Sequence, residues 1–138
     1  MAHSVRFGTV LILAILTFAG ACSRQQKEAT LTPEGRAYVK QLQLSAVGMQ
    51  ATDNLARQTL TEIQGNIKNA GGRTVNRVEV TCVFYDYTGK PLYQERAAMV
   101  KTTLKPGETR RFRLAFDSIP DGWNNQMPQL VIALVVFG

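Results

Sequence analysis

From Ala37 to the end of the chain, apolar side chains recur mainly at every second position, and that spacing predicts β-strands. In "NRVEVTCVFYD", Val78, Val80, Cys82 and Phe84 alternate with Arg77, Glu79, Thr81, Val83 and Tyr85. In "LTEIQGNIKN", Ile63, Gly65 and Ile67 share one face, and Glu62, Gln64, Asn66 and Lys68 share the other. "QLQLSAV" places Leu42, Leu44 and Ala46 together, and "RRFRLAF" sets Phe112, Leu114 and Phe116 against Arg111, Arg113 and Ala115. The last run, "LVIALVVF" (Leu130 to Phe137), is apolar on both faces, which predicts a strand covered on each side. Gly71-Gly72, Asp86 with Gly89, Pro106-Gly107 and Pro120 with Gly122 punctuate these segments as turns. "LKPGET" suits a type II turn, with proline leading and glycine taking the positive φ. The one helix expected is "TPEGRAYVKQ", with Thr32 as N-cap and Pro33 in the first turn, although Gly35 works against it. Short strands with such turns and no long helical period predict an all-β antiparallel sandwich of about seven strands.

The N-terminus carries a different pattern. Met1 to Arg6 is a short polar start with one certain positive charge, and Phe7 to Ala21 contains no charged residue. That run is shorter than the ~20 residues a helix needs to cross a bilayer core. It ends in the small residues Ala19-Gly20-Ala21 just before Cys22, which is the layout of a secretory signal. "AGAC" resembles the lipobox of bacterial lipoproteins, in which the cysteine becomes the acylated N-terminus. Ala19 stands where that pattern has a leucine-like residue, so an ordinary Ala-x-Ala cleavage is the other route, and an uncleaved anchor is the third. The polar "SRQQKE" and the breakers Pro33 and Gly35 then read as a tether, with a reach of about 20 Å. The expected organisation is a signal peptide over 1–21, a flexible tether over 22–36 and one sandwich over 37–138. The expected location is the bacterial cell envelope outside the cytoplasm, held to the membrane through Cys22, or a secreted or periplasmic soluble form.

Charge and composition narrow the chemistry. The net charge is +6, and of these cations only Arg6 precedes Cys22, so the body stays basic after cleavage. The single histidine is His3, in the leader. A chain beginning at Cys22 therefore lacks the commonest general base and the commonest zinc ligand. There is no G-x-S-x-G, no G-x-x-x-x-G-K-[ST] and no C-x-x-C. Neither enzyme activity nor a cofactor or metal is expected, and export argues against nucleic acid as a partner.

A resemblance emerges from "EIQGNIKNAGGRTVNRVEVTCVFYDYTGKPL" followed by "LKPGETRRFRLAF". Gly65, Asn69, Tyr85, Asp86, Gly89, Pro106, Gly107, Glu108 and Phe112 fall at positions similar to those of the FxLYD family of bacterial immunoglobulin-like modules. Cys82 and Phe84 depart from it, occupying its phenylalanine and leucine slots. The resemblance implies an immunoglobulin-like sandwich in an envelope or secreted protein. It implies no activity.

The candidate sites follow. Cys82 sits on the apolar face of the clearest strand and is expected to be inert core. Lys101, Lys105, Arg110, Arg111 and Arg113 lie within thirteen residues and make a candidate basic surface for anionic headgroups or cell-wall polymers. The same charges also keep an edge strand from pairing. Trp123, in "DGWNNQMP", is expected to plug the open end of the sandwich with its indole nitrogen hydrogen-bonded, or to offer a contact surface in the loop. Asp117 and Asp121 are too few for calcium and suit loop chemistry. Asp86 is expected to cap the turn after Tyr85. The expected function is non-enzymatic binding of an envelope protein or an anionic surface polymer. The alternatives are an accessory subunit held by a retained single-pass anchor, or a small carboxylate-based hydrolase.

Overall fold

Alternation of β-branched and aromatic residues with polar ones gives Val75–Tyr85 its strand, and its inner row organises the rest of the domain. Val75, Val78, Val80, Cys82 and Phe84 are all completely buried. The computed structural model describes residues 28–53 and 59–138. The proposed signal peptide and Cys22 lie outside the described residues.

Six strands are present among the described residues: β1 (Leu42–Asp53), β2 (Thr59–Asn69), β3 (Val75–Tyr85), β4 (Pro91–Val100), β5 (Thr109–Phe116) and β6 (Gln129–Phe137). They form two three-stranded antiparallel sheets, ordered β1-β2-β5 and β4-β3-β6. This is the all-β sandwich expected, and its order matches strands A-B-E facing C′-C-F of an immunoglobulin-like sandwich. Ile63, Ile67, Phe112, Leu114 and Phe116 from the first sheet meet the inner row of β3 in one core. Phe84 lies at its aromatic centre, with ring centroids 5.2 Å from Phe116, 5.5 Å from Trp123 and 5.8 Å from Tyr93.

The short helix also forms, as α1 (Pro33–Tyr38), and a 3-10 turn (Val39–Gln41) follows it. Thr32 Oγ1 accepts the Gly35 N–H at 3.0 Å and closes its N-terminus. Gly35, which counts against helix on propensity, is the buried contact of α1. A Cβ there would stand 3.1 Å from Leu31 and 3.6 Å from Val135 of β6. Leu31 packs against the core, so folded structure begins ahead of the boundary expected at residue 37, and the last residues of the expected tether are helical.

Two strand expectations are corrected. Ala46 does not continue the inward row of Leu42 and Leu44. The β1–β2 register breaks between Ser45 and Gly48, Ala46 adopts φ 50°, and the parity flips so that Val47 and Met49 turn inward. The run Leu130 to Phe137 is not covered on both faces. It forms an edge strand, β6, whose Val131 and Val136 remain 45% and 40% exposed.

The end where α1 joins the sandwich is fastened by Asn69, which is fully buried. Its Nδ2 donates to the Arg73 and Leu104 carbonyls at 2.7 and 3.1 Å, and its Oδ1 accepts from Tyr38 Oη at 2.7 Å. One side chain thereby ties α1 to two loops. At the opposite end, Asp86 Oδ1 accepts the Thr88 and Lys90 N–H groups and the Thr88 hydroxyl, capping the turn as expected. Gly89 and Gly107 take the positive φ their turns require, 81° and 78°.

Candidate functional site

Alternation along β2 and β5 puts their polar residues on the outer face of the first sheet, where register decides which of them meet. Glu62 lies across from Ala115, Gln64 from Arg113 and Asn66 from Arg111. Diagonal contacts then build a ladder. Arg113 donates from Nε and Nη2 to the two oxygens of Glu62, Gln64 Nε2 donates to Glu62 at 3.2 Å, and Arg111 Nη2 donates to Gln64 Oε1 at 2.6 Å. The hydrogen bonds from Arg113 hold the Glu62 carboxyl below its ordinary value against the opposing effect of burial. Arg113 is therefore neutralised. Arg111 faces no carboxylate among the described residues and is held only by the neutral Gln64.

Beside Arg111 the sheet is open. The β1–β2 register breaks opposite Gly65, and Gly48, across from Gln64, leaves empty space where a side chain would project. The result is a notch of about 410 Å³ in the outer face, with Gln50, Gln64, Asn66 and Arg111 around glycine backbone. Its size falls in the range of ordinary ligand sites.

The other basic candidates do not join this face. Arg110 has inward parity at the sandwich end and donates to the Thr102 and Thr103 carbonyls and to Glu108. Lys101 and Lys105 lie exposed on the β4–β5 connection. Only Arg111 and Arg113 share a surface as expected.

The loops β3–β4 and β5–β6 meet at the other end of the sandwich, where Asp86 and Trp123 form a bridge. Trp123 packs edge-on to Phe84 and so acts as the expected plug. Its Nε1 is buried without a hydrogen-bond partner among the described residues, contrary to the bonded indole expected. Packing on Phe84 and backbone pairing with Asp86 set the ring's position, and no acceptor stands at its nitrogen. Tyr87, Asp117, Asp121, Trp123 and Asn125 line a shallow groove of about 440 Å³ here. Tyr87 is 75% exposed, and its hydroxyl accepts from Asn125 Nδ2 at 3.3 Å.

Cys82 is completely buried, and burial together with the Glu95 charge pushes its thiol up to about 12, far from a usable nucleophile. Among the described residues no three His, Cys, Asp or Glu side chains converge to hold a metal. No described helix is long and apolar enough to cross a membrane.

Reading along the chain misses the notch because glutamine, asparagine and glycine carry no catalytic or metal signature. The one signal in the sequence is a pair of glycines, Gly48 and Gly65, inside strands, where glycine marks a bulge or a close backbone approach. Both occur here: a Cβ at Gly65 would stand 2.8 Å from the Phe112 ring. No curated protein and no solved structure matches the chain. The family described as "Protein of unknown function (DUF2393)" matches residues 39–132, which takes in the 3-10 turn, β1 to β5 and the start of β6. With more than half its length in that match, the chain belongs to the DUF2393 family, whose function is not characterised.

Proposed function

We propose that this is an exported envelope protein, anchored through acylated Cys22, whose FxLYD-like immunoglobulin-like domain works as a non-enzymatic binding module. One observation carries the reading: the buried thiol and three of the glutamates are spent on the fold, while apolar contact surface is left at the loop end. Cys82 is sealed in the core, and Glu62, Glu79 and Glu108 are each bound to arginine. Exposed Tyr87, Leu92 and Met127 instead lie at the end opposite α1, where the chain joins the sandwich. A domain tethered at its α1 end presents those loops away from the membrane, toward another envelope protein.

The test is capture of partners from envelope extract by the full chain and two double variants. Tyr87→Ser with Met127→Ser is expected to abolish capture by the loop end. Arg111→Glu with Arg113→Glu is expected to abolish capture of anionic polymers. Retention of every partner by both variants contradicts the binding-module reading.

A second reading, a carboxylate-based hydrolase, has one observation in its favour: Asp117 and Asp121 line the same groove as Tyr87 and Trp123. Both carboxylates are exposed, and Asp117 accepts a hydrogen bond from Ser118 Oγ at 2.9 Å, as in ordinary loop chemistry. Hydrolysis of an envelope polymer that disappears in Asp117→Asn with Asp121→Asn would favour this reading over the first.

A further inference from the structure

The geometry points to the notch in the outer face of the β1-β2-β5 sheet as a binding site for the C-terminal carboxylate of a short peptide. The inference rests on the reading of the domain as a binding module but not on its cellular address.

Three features of the notch specify the ligand. First, Arg111 supplies a guanidinium with no acid partner among the described residues. Its one side-chain hydrogen bond among the described residues, from Nη2 to Gln64 Oε1, leaves Nε and Nη1 to meet a carboxylate. The neighbouring Glu62 does not oppose an incoming anion with its full charge, because Arg113 holds both of its oxygens. Second, the other polar groups of the wall, Gln50, Gln64 and Asn66, are amides. Gln64 already bonds Glu62 and Arg111, and Gln50 bonds Glu62, so Asn66 offers the amide donor and acceptor that complement peptide N–H and C=O groups beside the carboxylate. Third, the floor is glycine. Gly48 of β1 pairs with Gln64 of β2 on the outer face, and a Cβ built there meets nothing within 4 Å. Its φ is not in the left-handed region, so flexibility does not demand glycine at this position. The missing side chain is what keeps the notch open.

The bulge adds to the site. Ala46 and Val47 have no partner in the β1–β2 register, so the pairing ladder is interrupted where the notch lies. A ligand of dipeptide size fits a space of about 410 Å³.

The test is an NMR titration of the full chain with N-acetyl-dialanine and, separately, with its C-terminal amide. The acid is expected to shift the backbone signals of Gly48, Gly65 and Asn66 and to saturate with a Kd of about 1 mM. The amide is expected to bind at least about tenfold more weakly, since a charge-assisted contact is lost. Arg111→Gln is expected to weaken the acid by a similar factor. Gly48→Val fills the notch from an unstrained position and is expected to abolish binding while leaving thermal unfolding unchanged. Equal binding of acid and amide, undiminished binding by Arg111→Gln or Gly48→Val, or tighter binding of glucuronate than of the peptide would each overturn the proposal. A failed titration in a protein shown to be exported removes this site and leaves the loop end. Successful titration of a protein that is not exported removes only the address.

Discussion

At Asn69 the side chain acts as a fastener. It has no solvent exposure, yet each of its polar atoms is hydrogen-bonded, to Tyr38, Gly71, Arg73 and Leu104. Replacement by leucine would strand the Leu104 carbonyl in the interior and release α1 from the β2–β3 loop. We expect Asn69→Leu to lower unfolding stability by about 3 kcal/mol, measured by denaturant titration. The same position belongs to the family-like pattern read from the sequence, and its role proves to be architectural. Asp86, Gly89, Gly107 and Glu108 follow suit, each completing a turn or a loop bond. Cys82 makes the complementary case. With its thiol pushed to about 12 and buried, it should resist iodoacetamide at pH 8 in the folded protein and react fully in guanidinium, as read by mass. Fast labelling of the folded form would show that the core opens or that the thiol is activated.

Among the elements, β2, β3 and β5 are legible in the sequence because each has one buried face and one wet face, so side-chain alternation reports burial directly. β1 and β6 are less so. In β1 the bulge at Ala46 is a matter of register against β2, and the only local sign of it in "SAVG" is Gly48, which does not say where alternation breaks. In β6 the apolar run reflects packing by α1 and Leu31 along part of an edge, which periodicity cannot separate from a central position. The site suffers most from this. Its residues come from three strands and acquire meaning only through their alignment, whereas the arginine cluster that stands out in the sequence is split by the fold into Arg111, a neutralised Arg113 and a structural Arg110. The bulge yields its own prediction. An alanine at φ 50° is strained where glycine is not, so Ala46→Gly should stabilise the domain by about 0.5–1 kcal/mol in thermal unfolding. A loss of stability would mean that β1 does not hold this conformation in solution.

For the whole molecule, ion pairing sets the acid limit of the fold. Hydrogen bonds from Arg113 lower the Glu62 carboxyl; burial pushes Glu79 up, but bonds from Arg77 and Arg96 outweigh it; the Lys105 N–H and Arg110 lower Glu108. Hydrogen bonds from Thr88 and Lys90 do the same for Asp86. A carboxyl lowered in the folded state adds stability that is complete above its unfolded value and is lost as pH falls through the folded one. The melting temperature should therefore be flat with respect to these groups above about pH 5 and fall progressively below about 4.5, the ordinary glutamate value. A melting temperature that rises on acidification through this window would contradict the pairing. The pattern suits a small basic domain in which acidic residues are scarce and mostly committed: the chain has 10 Asp and Glu against 16 Lys and Arg.

The central claim is that Cys22 becomes the lipid-bearing first residue of an exported domain. Intact mass spectrometry of the protein extracted from its native membranes tests it most directly. The account predicts a chain that starts at Cys22 and carries the added mass of acyl groups. A cytosolic species of full mass that retains Met1 and bears no lipid would contradict it.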